Sequence, residues 1–400
     1  MSVQDLIGIS RKNADFLVTP QKIRWDSSPT ITQNQIIQMT FPKYNDAMID
    51  ARSIRACFYL KGVSEEPGGP FLDGAANVVF AKLRVLSGTR EIANIMEAAL
   101  LNQQLSDIKT DNSNSDLRDF VRGEGTVGER QAWYSLPNGR QYETHLFPDK
   151  SFLNNDCLIP IGRMGQLQVE ITFNSFQKSI CALVDVTSSW VISNFEIHCD
   201  YVQSNTISEY FNSNPFRVSV TDYQWTQNSF LSATNALLRI PSNSTSLAKI
   251  LTILRDPVFS QGIVTADKNR VASVSGSNIM EYNVRMNQQY LYPQSIDGYG
   301  KLSVEMYEEF VDAFPEVKHS LFYDSTFLTG YKNRIAINLE SCPVKFRDQL
   351  VSGVKTSDLN ESITLEILFA SPVTCRVDSF LFSDAVISLP AFKGDLVITR

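Results

Sequence analysis

Apolar and polar residues alternate through most of this chain, and the alternation predicts strands. In ARSIRACFYLKG (51–62), Ile54, Ala56, Phe58 and Leu60 fall on one face, the period of two that a half-buried strand requires. ITQNQIIQMTF (31–41), CLIPIG (157–162), GQLQVEITFNSF (165–176) and SSWVISNFEIHCDYVQ (188–203) read the same way. ANVVFAKLRVLSGTREI (76–92) divides into two short strands at Ser87-Gly88, a turn signal. Later strands are FRVSVTDYQWTQ (216–227), NALLRIP (235–241), LAKILTILRD (247–256), RIAINLES (334–341), ESITLEILFAS (361–371) and CRVDSFLFSDAVISL (375–389).

Two segments instead carry helical spacing. One is 93–108, with Ile95, Ala98, Ala99 and Leu105 near one stripe; the other is 302–314, with Val304, Tyr307, Phe310, Val311 and Phe314 on one side. Residues 109–140 and about 257–280 are polar excursions, long enough to predict surface or functional loops. Residues 1–30 read as an N-terminal arm with a weak helical or extended signal. The polar SNTISEYFNSNP (204–215), ending at Pro215, reads as a linker.

The halves echo each other, which is the sign of a repeat. Val169–Phe173 lines up with Leu365–Phe369 at an offset of 196, and Ile54–Leu60 with Ala248–Leu254 at an offset of 194. Ser193-Asn194-Phe195 lines up with Asp378-Ser379-Phe380 at an offset of 185. Three pairs in one order predict two domains of one design, 31–203 and 216–400, each with about eight strands and a mid-domain helix. Eight antiparallel strands with long connections describe a jelly roll.

Composition agrees with this architecture. Four hundred residues suit two domains, and 24 Phe with 14 Tyr favour strands. The six cysteines (57, 157, 181, 199, 342, 375) are scattered without a CxxC pair, which points to synthesis in the reducing interior of a cell. On that reading Asn243 and Asn360, in Asn-x-Ser/Thr contexts, are chance matches. The start shows no signal-peptide pattern, and no run reaches the ~18–20 apolar residues of a membrane span. A net charge of −7, with only Arg11, Lys12, Lys22 and Arg24 near the start, argues against tight direct binding of nucleic acid.

The order of segments resembles that of double jelly-roll major capsid proteins, the lineage of adenoviruses and membrane-containing tailless phages. The resemblance rests on IDARSIRACFYLKG, AANVVFAKLRVLSGTREIANIMEAALLNQQL, CLIPIGRMGQLQVEITF and WVISNFEIHCDYVQ in the first half. In the second half it rests on LAKILTILRD, YNVRMNQQYLYPQSI and SGVKTSDLNESITLEILF. It implies an all-β fold of two tandem eight-stranded antiparallel jelly rolls with a few short helices. It also implies tower loops, for which 109–155 and 257–280 are the candidates. The implied role is a structural, late-made virion protein. It would form pseudo-hexagonal homotrimers in an icosahedral shell, beside minor or penton proteins, with an internal membrane as a further partner.

Candidate chemistry is sparse. Gly123-Glu124-Gly125-Thr126-Val127-Gly128 matches GxGxxG but lacks the flanking strand and helix of a dinucleotide site. His145, His198 and His319 are far apart, and His198-Cys199-Asp200 would point alternately to opposite faces of a strand. Asp107, Asp111, Asp116 and Asp119 lack the Gly and terminal Glu of a Ca²⁺ loop. Glu305, Glu308 and Glu309 read as the solvated face of a helix. No catalytic, cofactor or metal residue is assigned, and no enzyme activity is expected. The alternative, a carbohydrate-binding or sugar-processing β-sandwich, would need paired carboxylates and exposed aromatics; Trp133 and Tyr134 are its only candidates.

Overall fold

The computed structural model describes residues 17–62, 71–72, 75–109, 138–181, 189–255, 278–301, 304–320, 334–340, 352–357, 362–391 and 396–400. The first half begins with β1 (Leu17–Arg24), β2 (Thr30–Thr32), β3 (Ile36–Thr40), β4 (Ala47–Gly62), β5 (Phe71–Leu72), β6 (Phe80–Ser87) and β7 (Arg90–Met96). Helix α1 (Ala98–Lys109) follows, then β8 (Arg140–His145), β9 (Leu158–Ile159), β10 (Leu167–Phe173), α2 (Phe176–Ser179), β11 (Ile180–Cys181) and β12 (Trp190–Gln203). One sheet runs β1-β12-β4-β8, with β2 on β12 and β9 on β4; the other runs β3-β10-β6-β7. Every pairing is antiparallel. Between the sheets Phe58, Phe80, Phe173 and Phe195 pack ring to ring, contacts worth about 0.5–1.5 kcal/mol each beyond the area they bury.

Helix α3 (Asn205–Ser213) leads into the second half, capped by the Ser204 hydroxyl, which accepts from the Ile207 amide. Its elements are β13 (Phe216–Ile240), β14 (Leu247–Arg255), β15 (Ile279–Met286), β16 (Gln289–Tyr290), β17 (Ile296–Asp297), α4 (Glu305–Ala313), β18 (Arg334–Asn338), β19 (Ile363–Leu389) and β20 (Val397–Thr399). Here β13 and β19 are long enough to serve both layers. Phe216–Phe230 of β13 pairs with the later part of β19, whose other side carries β14 and then β18. Asn235–Ile240 pairs with the earlier part of β19, whose other side carries β15. Ser232, at φ 49, stands at the corner between them. Strand for strand this is the connectivity of the first half, so the fold is a double jelly roll.

The echoing segments fall on corresponding strands: β10 with early β19, β4 with β14, and β12 with late β19. One register needs correction. β12 shifts register between Ser193 and Glu196, a bulge with Asn194 at φ 50. Ser193 therefore matches Asp378, but Glu196, and not Phe195, matches Phe380. Phe195 turns inward onto Phe58.

Other sequence readings shift as well. Residues 93–96, read as the start of a helix, pair with Lys82–Val85 as strand; Glu97, at φ 48, breaks the chain before α1. Residues 17–24, assigned to the N-terminal arm, pair along their whole length with β12. Asn34, at φ 61, splits 31–41 into two strands. Within 109–155, residues 140–145 are strand on β4 and not loop. On α4 the buried residues are Met306, Phe310 and Ala313, while Val304 is exposed.

Register fixes the ends. Leu60 pairs with Arg140 and Gly62 with Trp190; Ile253 pairs with Arg334 and Arg255 with Arg376. The strands that flank residues 63–70, 110–137, 182–188, 256–277 and 321–333 therefore all end on one side. Leu17 pairs with Gln203 and Val397 with Ser388, so both described termini lie at the opposite end.

Candidate assembly surfaces

Directly opposed residues of antiparallel neighbours share a face, and successive residues alternate. Three rows therefore define the outer face of the sheet formed by β13, β19, β14 and β18. They are Gln227–Asp378–Ile253–Arg334, Trp225–Phe380–Leu251–Ala336 and Tyr223–Phe382–Lys249–Asn338. The corresponding rows of the first half, across β1 or β2, β12, β4 and β8, read Thr30–Ser193–Tyr59–Gln141, Arg24–Glu196–Cys57–Glu143 and Lys22–His198–Arg55–His145. One face is mostly apolar and aromatic. The other is polar and charged.

The apolar face is covered. β7 packs along β13, and Phe314, just after α4, meets Phe382 edge-on with ring centroids 5.5 Å apart. The covering contacts hold the halves together at both ends. At the long-segment end Arg376 reaches Glu97 at 3.3 Å, Arg334 Nε donates to Gln104 Oε1 at 2.7 Å and the Ser320 hydroxyl donates to the Asp107 carbonyl. At the other end the Arg163 guanidinium donates to the carbonyls of Phe211 and Pro390, Arg90 to that of Leu396, and Arg400 Nη2 to that of Ile92 at 2.9 Å. In between, Tyr223 donates to the Asp149 carbonyl. Like ends meet, so the two sandwiches stand side by side in the same sense.

Asp378 anchors this junction. Its side chain is 0% exposed and takes Arg255 at 2.8 Å, Arg376 at 2.9 Å and the Trp225 indole N–H at 3.0 Å. A buried carboxylate persists only when paired and hydrogen-bonded in this way. Arg334 and Gln104 are likewise fully buried. Sequence reading missed all of these. The available signal was a charge at a period-two position inside an apolar run, as Asp378 is within CRVDSFLF.

The charged face is open to solvent and carries a recess. β1 ends at Arg24 and β2 begins at Thr30, and the β12 bulge lies opposite the gap. Together they leave a cavity of about 390 Å³ lined by Arg24, Trp25, Asp26, Cys57, Tyr59, Gln141 and Glu196, among others. Arg24 Nε donates to Glu196 at 2.7 Å, and His198 Nε2 lies 2.9 Å from the same carboxylate. Burial pushes the Glu196 carboxyl up, but these hydrogen bonds from His198 and Arg24 outweigh it and hold it below the usual value. Arg55 pairs with Glu143 at 2.9 Å, and Gln141 donates to the Cys57 sulfur at 3.1 Å.

The remaining candidates are not brought together. Gly123–Gly128, Trp133, Tyr134, Asp111, Asp116 and Asp119 lie outside the described residues, while Asp107 is buried in α1. The three histidines sit on β8, on β12 and beside α4, and among the described residues no three His, Cys, Asp or Glu gather as a metal site. Glu305 and Glu309 are not simply solvated: Glu305 accepts from the Asp297 amide and Glu309 from the Tyr292 hydroxyl. Burial pushes the Cys157 and Cys199 thiols up to about 12, so neither supplies thiolate at neutral pH. No described helix is long and apolar enough to cross a membrane.

No protein-family model and no curated protein matches the sequence. Solved structures do match in shape. The VP54 protein of PBCV-1, fitted into a reconstruction of the virophage Sputnik, has a TM-score of 0.66 at 10% identity, over 96% of this chain and 97% of that one. A chain of the PBCV-1 virus capsid gives 0.63 at 12%, over 96% and 97%. The Faustovirus major capsid protein gives 0.55 at 10%, over 94% and 90%. At this identity the likeness establishes the fold, a double jelly roll along nearly the whole chain.

Proposed function

We propose that this protein is the major capsid protein of an icosahedral DNA virus, assembling as a homotrimer of pseudo-hexagonal outline. The observation that carries the proposal is the parallel, side-by-side stance of two sandwiches with one connectivity. Three such chains closed in a ring present six similar walls, and closed symmetry is the usual state of homo-oligomers. Residues 31–203 and 216–400, with β1 added to the first, act as the two wall units, joined through 204–215. The long-segment end faces outward and the end with both described termini faces inward. On this reading the chain is made inside the host cell, works in the virion, and has itself and minor or penton proteins as partners. Its acidic charge leaves genome packing to other components.

Catalysis has no visible seat among the described residues. A sugar-processing site would need two carboxylates free to act as acid and base. Glu143 and Glu196, which share the open face, are instead tied to Arg55 and Arg24. The test is the mass of the purified chain across dilution, with micrographs of the same sample. Particles of about 135 kDa, three times the 45.0 kDa chain, with hexagonal outline are expected, held by interfaces beyond ~2,000 Å². A monomer or dimer at every concentration would overturn the reading.

A further inference from the structure

Asn138-Gly139 is the one Asn-Gly pair in the sequence, and it stands at the turn that leads into β8. Gly139 takes φ 72, in the left-handed region that glycine adopts without steric cost. A β-carbon at 139 would lie 2.4 Å from the Leu60 carbonyl oxygen and 2.9 Å from Lys61 Cβ, so the approach to β4 admits only glycine there. Asn138 itself is exposed. Among the described residues, neither its carboxamide nor the Gly139 amide has a hydrogen-bond partner.

We propose that Asn138 is a self-modifying site, at which the folded chain converts asparagine into aspartate and isoaspartate without an enzyme. The Gly139 nitrogen gives up its proton and attacks the side-chain carbonyl carbon of Asn138. A C–N bond forms and closes a five-membered succinimide, while the bond to the side-chain nitrogen breaks and that nitrogen leaves as ammonia. Water then opens the ring at one carbonyl or the other, giving aspartate or isoaspartate. One water is consumed, one ammonia is released, and nothing is oxidised or reduced. The attack needs a carboxamide free to turn and a backbone nitrogen with no β-carbon beside it, and the turn at 138–139 offers both.

Asp297-Gly298, which could close the same ring with loss of water, is held in the opposite way. The Gly298 amide donates to the Met280 carbonyl at 2.8 Å, and Lys301 Nζ holds Asp297 Oδ1 at 2.6 Å. Asp297 is also paired with Glu281 of β15. The nucleophile is therefore engaged, and the carboxyl is kept as a carboxylate, a poor electrophile. Conversion at 138 adds one negative charge to a chain that carries −7. Lys61, beside Gly139, is exposed and has no partner among the described residues, so the new carboxylate meets a free cation. The chemistry belongs to the single chain and goes beyond the capsomer reading, on which the converted sites would accumulate at the outward end.

The experiment ages the full-length chain at mildly alkaline pH, once folded and once in urea, and follows peptides spanning 138 and 297 by mass spectrometry. Replacement of NH2 by OH reports Asn138, and resistance to a protease that cuts before aspartate reports isoaspartate at either site. Each site is scored as its folded rate over its own rate in urea, which removes the intrinsic difference between Asn and Asp. Asn138 is expected to react within ~3-fold of its unfolded rate, and Asp297 at least ~10-fold below its own. Asn138→Gln, which would have to close a six-membered ring, is expected to slow the reaction at 138 by at least ~10-fold. The wild-type comparison does not depend on how that variant folds. Protection of Asn138 in the folded chain as strong as that of Asp297 would overturn the proposal. So would a charge gained at the same rate by Asn138→Gln.

Discussion

The two outer faces share a pairing scheme and almost nothing else. Where the second sandwich sets Trp225, Phe380 and Leu251 across a row, the first sets Arg24, Glu196 and Cys57. The inward positions close a core in both, with Ile197, Ala56, Ile192 and Leu60 in the first and Leu381, Ile250, Ile337, Val377 and Leu254 in the second. In the second, Thr252 and Ser379 are buried by bonding to each other. The contrast separates two demands on one sheet. Folding dictates the inner face, and whatever lies against the sheet dictates the outer one. An outer face that has turned apolar therefore records a permanent cover. One that has stayed charged records water or a partner met later.

The sharpest way to break this comparison is at Asp378 and its counterpart Ser193. Asp378→Ala strands Arg255 and Arg376 in a covered site and removes the acceptor of the Trp225 indole. The expected loss is about 3–5 kcal/mol, read as a shifted urea midpoint at fixed protein concentration. Ser193→Ala should change stability by less than about 0.5 kcal/mol. Equal losses at the two positions would mean that the faces are not used differently.

A smaller gap is expected one row away. Leu251→Ala removes a fully buried side chain from the covered face and should lose about 2–5 kcal/mol. Cys57→Ala, beside the open recess, removes one sulfur and a single hydrogen bond from Gln141; its loss should be about 1 kcal/mol or less. A Cys57 loss as large as that of Leu251 would show that the first face is closed in solution.

Much of this was legible in the chain. Period-two runs located most of the long strands, and the echoes at offsets of 194 and 196 placed β4 against β14 and β10 against early β19 in register. The offset of 185 failed by one residue at Phe195, because a bulge inserts a residue that no alternation pattern announces. Likewise Asn34 and Glu97 take positive φ without a glycine to flag them, so 31–41 read as one strand and 93–96 as helix. The junction was illegible for another reason. Glu97, Gln104, Asp378 and Arg376 lie up to 281 residues apart, and only the fold brings them together. Exposed charge on β4 and β12 reads as an ordinary solvated face until its covered counterpart is seen.

The smallest effect concerns acid. Arg24 and His198 hold the Glu196 carboxyl below its ordinary value against the opposing effect of burial, and this ties the end of β1 to β12. A carboxyl depressed in the folded state adds stability that is present above its unfolded value, about 4.3. That stability is lost as pH falls through the lower, folded value. The sign therefore predicts loosening of β1 below about pH 4, with amide exchange at residues 17–24 rising faster than in the rest of the first sheet. Glu196→Gln removes the titration, so exchange there should start higher at neutral pH and change less on acidification. The size is about 1 kcal/mol or less, because Arg24 is 66% exposed and solvent screens the pair. The second sandwich supplies the control, since Phe380 occupies the matching position and carries no charge. Acid-driven exchange along β13 that tracks β1 would show that the loosening belongs to the whole molecule and not to this carboxylate.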